Sequence, residues 1–248
     1  MDSVEKVFVI NLARRPDRMW AFEQRFPYSG GANITILDAA DGYDPQLLEK
    51  KNPLAAELAG RYRALRSDDH RPGLPRLRLG EFGCLVSHVA VYKRMVDEGI
   101  KNAVVFEDDA LFCPGFASKW SAMVRAMGLA APAGPSGFLY IGGRFQEGHR
   151  MTVFRDAGMG PSLAYHDFAG PWSGVQHDRT THAYCLTLDV AEALYGYFLE
   201  GDGLCAPVDH SLLSFFRRRA TAPLNAQPLL CHSPMNTDSD IQGRAGYL

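Results

Sequence analysis

The sequence predicts an α/β domain of three layers built on a mostly parallel central sheet. Short β-branched runs alternate with amphipathic helical stretches along most of the chain. Charged residues or glycines follow several of the strand-like runs, and in open α/β sheets that carboxyl edge is where ligands sit. With 248 residues, no internal repeat and no clear linker, the chain reads as a single domain over 1–248. A basic excursion over 45–78 and a polar C-terminal tail over 233–248 are its irregular parts.

The first strand is expected at Lys6 to Leu12, KVFVINL, followed by a turn and a helix whose apolar positions include Trp20, Phe22 and Phe26. Pro16 suits the first helical turn, and Arg14, Arg15 and Arg18 place cations beside the end of that strand. They read equally as a solvated basic turn, with Arg18 paired to Asp17. Ala32 to Ala39 is the second strand, ending in Ala40-Asp41-Gly42, where glycine permits a sharp turn past a carboxylate. Pro45 to Ser67 carries two short helical patterns, and the Arg- and Pro-rich residues up to Arg78 read as a surface loop or a lid over an anion.

Gly80 to Glu98 is a helix with Leu79, Phe82, Val86, Val89 and Val96 on a core face. Ser87 and His88 point about 100° apart on it, so they form no nucleophile–base pair, whereas Glu81 and His88 share a side. Asn102 to Phe112, NAVVFEDDALF, is a buried strand that runs into Glu107, Asp108 and Asp109. Carboxylates gathered there suit a hard cation such as Mg²⁺ or Mn²⁺ holding a diphosphate, or else a solvated acidic turn. Pro114 to Met127 is a helix. Gly137 to Gly143 is a strand ending in Gly142 and Gly143, where backbone can approach a ligand.

Residues 144–181 are irregular and rich in glycine, histidine and aromatics, a composition that suits an acceptor-binding loop. Thr181 to Leu188 is a strand, Asp189 to Leu199 a helix, and a further helix runs from Pro207 to Arg219. Pro228 to His232 is a last short strand.

A net charge of -2 with 46% hydrophobic and 22% charged residues describes an ordinary globular chain and argues against a basic nucleic-acid binder. The five cysteines are scattered with no CxxC pair, which suggests neither a disulfide framework nor a zinc site. The N-terminus has no signal-like segment and no apolar run is long enough to span a bilayer, so the expected compartment is the cytoplasm. Dinucleotide, P-loop, zinc-protease and serine-hydrolase motifs are absent from the sequence.

Taken in order, VFVINLARRPDR, AADG, GEFGCLVSH, VVFEDD, THAYCLT and APVDH resemble glycosyltransferase family 25, the lipooligosaccharide and procollagen galactosyltransferase family, across most of Val7 to Leu213. The resemblance implies a GT-A-type nucleotide-sugar-binding fold and an inverting, metal-dependent glycosyltransferase. It would move a hexose, galactose or glucose, from a UDP-sugar with Mn²⁺ or Mg²⁺. The acceptor would be a hydroxyl of a glycan, a lipid-linked saccharide or a hydroxylysine-containing chain. The implied donor site takes Asn11, Arg18, Asp41, Gly80, Ser87, His88, Glu107 and Asp108, joined by the Gly142–Gly143 pair. Asp109 is expected on the metal, with Asp108 beside it, or Asp108 or Glu107 on the ribose or a bound water. His232 is a further ligand, since a C-terminal histidine recurs in GT-A metal shells, or else a surface histidine. Asp209 matches the family's PVD block and is the expected general base. It could equally cap the helix it begins, in which case Glu81, Asp167 or Asp178 would be the base. Other readings are a metal-dependent nucleotidyl or phosphoryl transferase, which uses clustered carboxylates too, and a nucleotide-sugar-binding module without turnover.

Overall fold

The computed structural model describes residues 4–28, 33–43, 45–67, 77–126, 137–143, 181–219, 223–226 and 230–232. The expectations for 68–76, for the loop 144–180 and for the tail 233–248 lie outside the described residues, as do those for Asp167 and Asp178.

In chain order the elements are β1 (Lys6–Asn11), α1 (Pro16–Arg25), β2 (Ile34–Asp38), α2 (Pro45–Lys51), α3 (Pro53–Ser67), α4 (Leu79–Glu98), β3 (Asn102–Glu107), β4 (Leu111–Phe112) and α5 (Phe116–Ala126). There follow β5 (Phe138–Tyr140), β6 (Gly142–Gly143), β7 (Ala183–Thr187), α6 (Leu188–Leu199), α7 (Val208–Arg218), β8 (Leu224–Asn225) and β9 (Cys231–His232). The main sheet has the order β2-β1-β3-β7-β5-β8. β1 is parallel to β2 and β3, and β5 is parallel to β8, whereas β7 runs against both of its neighbours. A small sheet, β4-β9-β6, lies beyond it.

Alternation along the strands makes the three layers. Phe8, Ile10, Val105, Tyr140 and Tyr184 belong to the core shared with α3, α4, α6 and α7. Val7, Val9, Val104, Phe106 and Leu139 belong to the core shared with α1 and α5, where Phe22, Phe26, Phe112 and Phe116 form an aromatic cluster. The expected three-layer α/β architecture with a mostly parallel sheet is therefore what the chain builds.

Several details differ from the sequence expectations. α4 is buried on more than one face: Leu85, Val91, Tyr92 and Met95 are core residues, while Leu79 and Val96 are half-buried. It lies between the sheet and the surrounding helices, so it lacks the broad polar face of a surface helix. Gly99 ends it in the left-handed region at φ 66° and turns the chain into β3. The single strand expected over Gly137 to Gly143 divides at Ile141, because that carbonyl accepts the N–H groups of Leu230 and Cys231 and so turns the chain into the small sheet. Gly142 and Gly143 are buried there, and a Cβ on Gly142 would lie 2.8 Å from Ala183 Cβ and from His182 Nε2. That glycine makes room for Ala183 and His182 at the start of β7. No helix among the described residues is long and apolar enough to cross a membrane.

Candidate active site

The site begins where β1 and β3 stop side by side. Asn11, the last residue of β1, donates from Nδ2 to Asp108 Oδ2 at 2.7 Å and to the Arg15 carbonyl at 3.1 Å. It thereby ties the start of α1 to the acidic turn. Arg18, in the first turn of α1, sends Nη1 to within 3.3 Å of Asp108 Oδ1 and Nη2 to within 3.5 Å of Asp109 Oδ2. One planar guanidinium thus spans two consecutive carboxylates. The alternative pairing with Asp17 is taken by Arg15, at 2.9 Å.

The second wall is the turn after β2. Ser87 Oγ accepts the Ala40 N–H at 2.9 Å and donates to the Gly83 carbonyl at 2.7 Å, which stitches that turn to α4. The approach is close: a Cβ on Gly42 would sit 1.7 Å from the Leu79 carbonyl oxygen, and one on Gly83 would sit 2.4 Å from that of Ala40. Asp41 accepts from Arg14 Nε at 2.6 Å and from the Tyr43 N–H at 3.2 Å, and the Arg14 guanidinium lies 5.0 Å from the Tyr43 ring centre.

The floor is a buried polar chain. His88 Nε2 lies 3.2 Å from Glu107 Oε1, His88 Nδ1 lies 2.8 Å from the Tyr184 hydroxyl, and that hydroxyl is 3.3 Å from Tyr92 Oη. Thr181 Oγ1 donates to Glu107 Oε1 at 2.8 Å.

The acidic residues sit in contrasting environments. Burial pushes the Glu107 carboxyl up, but the His88 hydrogen bond and the charges of His88 and His182 outweigh it, so that Glu107 is held down at about 2. Asp109 is raised to about 7 by burial and then by the Glu107 charge, against the opposing pull of Arg18. Asp108 is raised by burial too, moderated by Arg18 and Asn11. Asp109 Oδ1 is buried with no hydrogen-bond partner among the described residues. Crowded carboxylates with an unfilled oxygen are what a bound cation would relieve.

Of the residues expected at the site, Arg18, Asp41, Gly80, Ser87, His88, Glu107, Asp108 and Asp109 line a single pocket, and Asn11 holds Asp108 at its edge. Gly142, Gly143, His232 and the expected base Asp209 are not in that lining. His232 is paired across β9 with Leu111 and Gly143, and its Nδ1 lies 3.9 Å from Cys113 Sγ. Glu81 accepts the Arg78 N–H at 2.8 Å in a capping box at the start of α4, so its carboxylate serves the helix end rather than His88. Asp209 does not cap α7: Pro207 occupies that position, and Asp209 Oδ1 accepts the N–H of His210, at 2.9 Å. Its charge reaches the pocket wall, where burial first, then Glu107 and Asp209, raise the Cys84 thiol well above the ordinary range. Tyr43, Cys84 and Tyr184 escaped the sequence reading. Cys84 and His88 were detectable as a one-turn pair on a helix; Tyr184 is apolar-strand sequence until the fold sets it beside His88.

The model of glycosyltransferase family 25, described as an LPS biosynthesis protein family, matches residues 4–143. Human procollagen galactosyltransferase 2 is 28% identical over an alignment of 258 positions that covers 98% of this chain and 36% of that protein. The human protein named inactive glycosyltransferase 25 family member 3 is 36% identical over 115 positions, covering 45% of this chain and 18% of its own length. The chain thus spans about a third or less of these relatives. A solved glycosyltransferase involved in glycosylation of the PBCV-1 major capsid aligns over 94% of this chain and 93% of its own at TM-score 0.40 and 8% identity, too distant to bear on activity.

Proposed function

This chain belongs to glycosyltransferase family 25, and we propose that it transfers a hexose, galactose before glucose, from a UDP-sugar with inversion to a hydroxyl acceptor. The acceptor class is a glycan, a lipid-linked saccharide or a hydroxylysine-containing chain. Galactose is favoured because the procollagen galactosyltransferase aligns over nearly the whole chain. The observation that carries the reading is the pairing of Arg18 with Asp108 and Asp109 in a pocket that also holds Arg14, Asp41 and Tyr43. Cationic and anionic groups side by side suit a diphosphate bound together with a divalent ion.

The residues present fit such an ion, Mn²⁺ or Mg²⁺: Asp109, whose buried Oδ1 has no partner among the described residues, and the adjacent Asp108 would hold it. When bound, it would neutralise charge developing on the leaving diphosphate. Arg18 orients the same two carboxylates and offers its guanidinium edge to phosphate oxygens. Arg14 and Asp41 frame the Tyr43 ring, on which a nucleobase can stack. Asp209, away from the Arg18 cluster, takes the proton of the attacking hydroxyl.

A second reading, donor binding without turnover, is supported by the similarity to a relative named inactive. Measuring UDP release from a panel of UDP-sugars, with and without Mn²⁺, tests both. Metal-dependent release from UDP-galactose or UDP-glucose supports transfer, and donor binding with no release supports the second reading. Release of pyrophosphate or passage of phosphate would overturn both.

A further inference from the structure

We propose that Cys84, His88 and Glu107 form a separate cation site on the α4 wall of the pocket, matched to a borderline-soft ion such as Zn²⁺ rather than to Mg²⁺. Cys84 and His88 are one turn apart on α4 and so share a face, and Glu107 meets them from the end of β3. Their donor atoms all lie within 4.8 Å of one another. Tetrahedral ligands at bond lengths of about 2.0–2.3 Å are roughly 3.3–3.8 Å apart, so the set closes with side-chain shifts of about 1 Å. Thiolate, imidazole and carboxylate together select a zinc-like ion, whereas Mg²⁺ demands oxygen ligands in near-octahedral geometry.

The surroundings already provide what such ligands need. The Tyr184 hydroxyl, 2.8 Å from His88 Nδ1, can accept the Nδ1–H while donating to Tyr92, which leaves the Nε2 lone pair directed toward Glu107. Histidine ligands characteristically hand their second N–H to such a partner. Thr181 fixes the Glu107 carboxylate at 2.8 Å. Arg18 compensates Asp108 and Asp109, while the negative charges of Glu107, Asp209, Asp109 and Glu81 converge on Cys84. An ion there would release the thiol proton to solvent, together with any proton held between Nε2 and Oε1. All three ligand residues line the pocket, so water can complete the coordination. The site needs no nucleotide sugar and stands whether or not the chain transfers one.

The test is titration of the metal-free full chain with Co²⁺, a spectroscopic substitute for Zn²⁺. The expected result is one tightly bound equivalent showing a thiolate-to-cobalt charge-transfer band, displaced by Zn²⁺ and not by excess Mg²⁺. The band disappears in Cys84→Ser, persists in Asp109→Asn, and Tyr184→Phe weakens binding by about tenfold or more, the usual effect of removing an outer partner. Alkylation of Cys84 in the unmutated chain, mapped by mass spectrometry, should be slowed by Zn²⁺ and not by Mg²⁺, which keeps the test valid if Cys84→Ser folds poorly. Absence of a sulfur band, or binding that survives Cys84→Ser and is lost in Asp109→Asn, overturns the proposal.

Discussion

Arg18 Nη2 lies 3.5 Å from Asp109 Oδ2 while the same guanidinium holds Asp108 at 3.3 Å. Arg18→Ala therefore removes a phosphate contact and the cation that offsets two partly or fully buried carboxylates. UDP affinity should fall by on the order of tenfold or more, the size of a lost charge-assisted contact. Calorimetric titration with UDP checks this; unchanged affinity would show that the guanidinium serves only the fold.

Asp109→Asn keeps the shape of the acidic turn and removes one of its crowded charges. The metal-free protein should melt no lower than the unmutated chain, because the cost of burying the charge, and then its repulsion with Glu107, is relieved. UDP release at limiting Mn²⁺ should instead drop by about tenfold or more, and raising Mn²⁺ should restore part of it. Normal turnover at limiting Mn²⁺ would remove Asp109 from the metal assignment.

For Asp209→Asn, donor and Mn²⁺ binding should stay intact while sugar transfer falls by on the order of a hundredfold or more, the usual range for a positioned base. The melting temperature should barely move, since Pro207 and not Asp209 occupies the cap of α7. Near-normal transfer per folded molecule would send the search for the base elsewhere.

Ser87→Ala cuts the bridge between α4 and the turn carrying Asp41, leaving the buried Ala40 N–H without its acceptor. A loss of about 1–3 kcal/mol is expected, readable by urea denaturation. Weaker UDP binding should accompany it, as the Asp41–Tyr43 wall loosens. A wild-type denaturation midpoint would mean that water replaces the hydroxyl at no cost.

Local pattern determined a great deal of this protein. The β-branched run at Lys6, the buried run at Asn102, the helix through Val86 and the carboxylates at a strand end were all legible, because periodicity and turn chemistry act over a few residues. Residues from the separate motif blocks, Arg18, Asp41, His88 and Asp109 among them, do meet in a single pocket. Only the tertiary structure decided what each one faces. β4 and β8, at two residues each, are too short to carry a period and exist through their partners. Ile141 divides a continuous apolar run because Leu230 and Cys231 reach its carbonyl. Ser87 is committed to Ala40. Glu107 and Asp109, two positions apart, are driven to opposite ends of the carboxylate range, one facing a histidine and the other enclosed among like charges beside Arg18. The adjacent carboxylates were legible, but burial and the partners that offset them, Arg18 for Asp109 and His88 for Glu107, come from residues tens of positions away or from another element, and no local pattern encodes them.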